Sequence, residues 1–186
     1  MRLRDAVQTD DGRIPATVLQ AGAPRFWLAV IGTGIGAGVA AAVLTRFLEM
    51  IQHVAWSGSG THVLEAATNA GASRHLVVLL GAGVVVGIGQ LVLVRLSSGN
   101  GIEITAAIWF SAGRLPILRT LGSAVLSILA VGMGASLGRE GAPKQAGAVF
   151  ANLLADRARL SDEQRRLLVA CGAGAGMAAA YGVPLV

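Results

Sequence analysis

The stretch Gly138-Arg139-Glu140-Gly141-Ala142-Pro143-Lys144-Gln145 is a charged, glycine-broken turn between two uncharged runs. Nothing from Thr120 to Gly138 carries a charge, and nothing from Gln145 to Ala155 does. The Glu140 carboxylate therefore stands at the tip of an apolar hairpin. An ionisable side chain at membrane depth is costly, which makes it a candidate functional residue.

The rest of the chain agrees with a membrane setting. Of 186 residues, 54% are hydrophobic and 13% charged, against about 25% charged in ordinary soluble domains. Phe26 to Thr45, Leu76 to Val94, Thr120 to Gly138 and Leu167 to Val186 are uncharged, each near the roughly 20 residues a membrane helix needs. The fold class read from this is an all-α polytopic membrane protein. The formal charge of +5 comes from arginines scattered at the ends of apolar runs. They flank spans rather than form a nucleic-acid-binding stripe. Cys171 has no partner cysteine, so there is no disulfide framework. Residues 1–24 read as a polar cytoplasmic segment without the apolar core of a signal peptide, and residues 25–186 as the transmembrane domain.

No proline interrupts the chain from Arg25 to the Ser57-Gly58-Ser59-Gly60 break, so the first span is expected to run past Arg46 and Glu49 as one tilted helix. Gly32-Thr33-Gly34-Ile35-Gly36-Ala37 matches a dinucleotide-binding fingerprint, but that motif needs a strand before it and a helix after it. Here small residues four apart in an apolar run point to helix packing. His53, His62, His75 and Glu65 lack a short ligand pair and are read as parts of a solvated loop and its edges. Ile104 to Ala112 is too short to cross and is expected to be a half-helix that enters and stops. Thr120 to Gly138 would climb about 28 Å, whereas Gln145 to Ala155 would descend only about 16 Å. Such broken helices need protein or a polar cavity around them. Ser161 with Gln164 predicts a capped helix start, and Gly182 with Pro184 its end. Basic segments at 2–25, 95–119 and 157–166 place the N-terminus inside, with the hairpin entering and leaving from one side.

Two glycine turns, Gly99-Asn100-Gly101 and Gly138-Arg139-Glu140-Gly141, each open a half-helix. The free N–H groups and dipole of a helix N-terminus bind anions, and glycine lets the backbone come close. Two such ends aimed at one buried point make a dehydrated anion site. Glu140 is a tethered anion that can occupy such a site and leave it on protonation. The other reading is that it pairs with Arg139 or Lys144 and closes the turn. Asn100 either donates its amide N–H to an anion or caps its half-helix. Tyr181 reads as a core or interface aromatic.

At these motifs the chain resembles the CLC family of chloride channels and chloride/proton antiporters. The matching residues are Gly138-Arg139-Glu140-Gly141 with Gln145 and Gly147, Gly99-Asn100-Gly101-Ile102, and the run from Gly172 through Tyr181 to Pro184. The resemblance covers Arg25 to the C-terminus. It implies broken and re-entrant helices in a homodimer with one anion path per subunit, and transport rather than enzymatic catalysis. Gly99, Asn100, Gly101, Ile102, Gly138, Arg139, Glu140, Gly141 and Ala142 would line the selectivity filter, with Glu140 as gate and proton relay. It implies a transported anion, chloride first, and protons in the antiporters, with no cofactor or metal. The expected setting is the lipid bilayer of the plasma (inner) membrane. Three departures stand out: Asn100 where serine is usual, which opens the choice among chloride, nitrate and fluoride; no proline after Ile102; and Pro143 one place late. The family's second inverted half would follow Val186, so the chain is expected to hold the first inverted repeat only.

Overall fold

The uninterrupted apolar run after Pro24 forms one helix of 34 residues, α1 (Ala23–Trp56), which passes Arg46 and Glu49 without a break. The computed structural model describes residues 23–56, 71–96, 103–136, 138 and 140–183. Among the described residues five more helices follow: α2 (Ala72–Leu96), α3 (Ile104–Phe110), α4 (Ile117–Gly132), α5 (Gly141–Ala158) and α6 (Asp162–Tyr181). No strand occurs among the described residues. α1 and α2 are long and apolar enough to cross a membrane, while α4 is apolar but shorter.

Helix ends follow from local chemistry. α3 has seven residues and stops at a turn with positive φ at Ala112 and Gly113, as a half-helix should. α4 ends at Gly132, six residues short of the expected Gly138. Gly134 takes φ +100°, its N–H donates to the Val131 carbonyl, and the Ala135 N–H donates to that of Ala130. This is the Schellman arrangement that glycine permits. α5 begins at Gly141, four residues before the expected Gln145. Pro143 falls in its first turn, where a missing N–H costs nothing. α5 also runs on to Ala158 and closes at Arg159 with φ +51°. The two arms have 16 and 18 residues, so the short descending arm inferred from charge spacing does not exist. α6 starts with the expected capping box, in which Gln164 N–H donates to Ser161 Oγ and Ser161 N–H to Gln164 Oε1, both at 3.3 Å.

α5 is the hub, packed on α1, α4 and α6. A Cβ at Gly36 would enter the Phe150 ring, and one at Gly32 would stand 3.2 Å from Leu154 Cδ1. These glycines thus seat α5 against α1, as the packing reading expected, and they lie inside an unbroken helix rather than at a strand-to-helix turn. Between α5 and α6 the backbones touch. A side chain at Gly147 would meet the Gly172 carbonyl, and one at Gly176 would meet the Pro143 carbonyl. α2 packs on α4 through reciprocal notches, with Leu126 over Gly89 and Leu93 over Gly122. Its remaining faces carry exposed Leu76, Val77, Leu80, Val84, Ile88 and Leu91.

Two buried clusters divide the bundle by height. Leu115, Ala155, Leu168 and Val169 belong to the one near the α5–α6 corner. Leu48, Ile51, Ala124, Ile128 and Ala142 form the other. The N-terminus of α5 is therefore level with the middle of α4, not with its end. The segment after Gly132 turns back into the bundle and delivers Glu140 there. Trp56 Nε1 donates to the Gly132 carbonyl at 3.2 Å, which ties the far end of α4 to the end of α1.

Candidate functional site

The site is built at the first turn of α5. Glu140 is the N-cap residue, with φ −73° and ψ −23°, and its side chain makes no capping hydrogen bond. Good N-caps hold extended dihedrals and a side-chain oxygen on the helix, as Ser161 does for α6. The Glu140 carboxylate instead lies back over Gly138, in the space a side chain at that position would fill. Gly138 is needed here because it has no such side chain. Glu140 is half-buried, and its backbone carbonyl accepts the Lys144 N–H at 3.1 Å. Among the described residues neither Glu140 nor Lys144 has an ion-pair partner. A Glu140–Lys144 pair does not close the turn in this structure, while Arg139 lies outside the described residues.

Beside this turn is a cavity of about 440 Å³. α5 contributes Gly141, Lys144 and Gln145, which share one helix face by their spacing. α4 supplies Arg119, Thr120 and Ser123, α2 supplies Gln90, and Glu103 with Ile104 closes the side where α3 begins. The lining mixes donors, acceptors and both signs of charge. Glu103 accepts a 3.5 Å hydrogen bond from the Thr105 hydroxyl. Gln145 Oε1 is buried with no partner. No group of His, Cys, Asp and Glu suited to a metal ion occurs among the described residues.

Of the residues singled out from sequence, Gly138, Glu140, Gly141 and Ala142 are together at the α5 N-terminus, with Ala142 buried between α4 and α1. Gly99, Asn100, Gly101, Ile102 and Arg139 lie outside the described residues, as do His62, Glu65 and Pro184. Tyr181 is 61% exposed and lines a second cavity with Pro143, Leu48 and Ile128. It is not a core aromatic. His75 packs against Trp56, with ring centroids 5.0 Å apart and planes tilted by 54°. Sequence reasoning missed Gln90, Glu103, Arg119, Ser123 and Gln145 as cavity residues, and Lys144 in that role. The signal was the three- and four-residue spacing within Gly141–Gln145 and Arg119–Ser123, readable only with the α5 start in place.

An all-helical membrane bundle whose hub helix begins at mid-height, with a carboxylate at its N-terminus, defines a membrane protein of broken-helix type. Residues 81–186 match the family model of the voltage gated chloride channel, and the chain belongs to that family. It is 43% identical over 79 residues to the voltage-gated ClC-type chloride channel ClcB of Yersinia pestis, covering 42% of this chain and 19% of the relative. The putative chloride channel protein ClcB-like of Ralstonia nicotianae is 41% identical over 83 residues, again 42% and 19%. ClcB of Escherichia coli is 41% identical over 73 residues, 39% and 17%. The matched stretch spans less than a fifth of these curated relatives. No solved structure matches the chain.

Proposed function

We propose that this chain contributes one side of a transmembrane path for a small inorganic anion, chloride first, with Glu140 as its gate. The observation that carries the reading is the uncapped α5 N-terminus. It is set at mid-height in the bundle, its own carboxylate is folded over Gly138, and it adjoins a polar cavity at Gly141. Free helix-end N–H groups favour an anion, and a tethered carboxylate competes for the same place until it is protonated or swings away. The names of the relatives supply chloride and voltage gating. In this reading Gly138, Arg139, Glu140, Gly141 and Ala142 form one filter segment and Gly99, Asn100, Gly101 and Ile102 another. The protein works as a homodimer in the inner membrane, with its N-terminus and residues 1–24 cytoplasmic.

The test is anion flux in liposomes containing the full-length gene product. Glu140→Ala and Glu140→Gln are expected to raise basal flux and flatten its dependence on pH. In an antiporter both would also abolish proton movement coupled to chloride, whereas a channel shows none to lose. Flux and pH response unchanged in both variants would remove Glu140 from the gate and favour a non-conducting assembly subunit.

A further inference from the structure

α5 breaks the electrostatic rules that α6 obeys. The first turn of α6 has a Ser161 cap and the acids Asp162 and Glu163, which offset the positive end of the helix dipole. The first turn of α5 contains no acid, has no side-chain cap, and is followed at once by Lys144. An ammonium there adds to the dipole's positive end instead of offsetting it, an arrangement that destabilises the empty helix end. A local rule broken without structural compensation marks a functional position. Lys144 also faces the cavity, half-buried, with no ion-pair partner among the described residues.

Resting on the anion-path reading above, we propose that Lys144 is the affinity-determining cation of the cavity: its ammonium holds a small monovalent anion about one helical turn below the Glu140 carboxylate. The charged groups lining the cavity are Lys144, Arg119 and Glu103, a formal balance of one positive charge. Arg119 has an interaction of its own, and Glu103 opposes the anion. Lys144 is thus the cation that can turn toward the ligand, and a partly desolvated charge acts far more strongly than one in bulk water.

The experiment separates binding from transport. Chloride binding to the purified full-length gene product is measured by calorimetry in detergent, and the chloride dependence of flux in liposomes. Lys144→Met and Lys144→Gln are each expected to weaken chloride binding and raise half-saturating chloride by about ten-fold, with a much smaller change in flux at saturating chloride. Lys144→Arg keeps the charge and is expected to recover most of the affinity. Unchanged binding in either neutral variant that elutes as a single species overturns the proposal. Equal loss in the Arg and neutral variants also overturns it, because the role would then be packing. If the Glu140 variants leave flux untouched while Lys144→Met still weakens binding, the gate fails and the anion-holding role of Lys144 survives.

Discussion

Arg165 shows how one buried charge fixes a corner of the bundle. The residue is 8% exposed, its Nη1 donates to Asn152 Oδ1 at 3.0 Å, and its Nη2 lies 2.6 Å from Asp156 Oδ1. Asn152 Nδ2 passes the connection on to the Leu115 carbonyl at 3.5 Å. The polar link thus joins α5, α6 and the turn before α4. Asn152→Ala leaves a buried charged donor unmet and is expected to cost about 1–3 kcal/mol, read as a lower melting temperature in detergent with anion flux retained in what stays folded. An unchanged melting temperature would mean that the link is idle. Gly138 gives a second residue-level test. Gly138→Ala places a methyl where the Glu140 carboxylate now rests, so the carboxylate must move although it is still present. The expected result is an altered pH response of flux, short of the flat response expected for Glu140→Ala. A wild-type profile would show that the fold of the carboxylate over Gly138 has no part in gating.

At the scale of elements, the α5–α6 pair tests whether glycine is used for contact or merely tolerated. Gly147→Ala would drive a methyl into the Gly172 backbone, which cannot move aside as a side chain can, whereas Gly34 and Gly174 face open space. Overpacking of this kind costs about 1–3 kcal/mol. Gly147→Ala is expected to lower the melting temperature by roughly 3–10 °C, while Gly34→Ala and Gly174→Ala change it little or raise it slightly. Equal effects at all three positions would show that composition rather than contact governs the pair. The same elements show what a sequence can and cannot reveal. The packing role of Gly32 and Gly36, the Ser161 capping box and the short α3 were legible because each rests on local spacing. The start of α5 was not, because the uncharged run begins only after Lys144, whereas the helix already begins at Gly141 with Pro143 in its first turn. Nor was the end of α4, since an uncharged run does not disclose that Gly134 adopts a left-handed turn. The cavity residues inherited that error. Lys144 and Gln145 share a face with Gly141 only if the helix has already begun.

For the whole molecule, the pairings between helix ends sort the charges. Arg114 meets Asp162 at 3.1 Å, which puts the start of α4 and the start of α6 at one end of the bundle. Arg157, Arg159 and Arg166 lie in the same corner, and the alternation of α1 and α2 brings Arg25 and Arg95 there too. At the opposite end Arg74 donates to the Ala55 carbonyl at 3.2 Å, and Arg46 lies about two and a half turns nearer the middle of α1. Positive residues concentrate in cytoplasmic segments, so the Arg114–Asp162 end should face the cytoplasm. Cys171, the single cysteine, is exposed within α6 and is first replaced by alanine. Single cysteines are then introduced at Arg74, Arg114 and Asp162. A charged, membrane-impermeant thiol reagent applied to intact cells is expected to label position 74 and to reach 114 and 162 only after the membrane is opened. The reverse pattern would invert the protein and carry the α5 N-terminus with it. A carboxylate at mid-height would then meet protons arriving through residues 114–123, and the gating proposal for Glu140 would have to be rebuilt from that side.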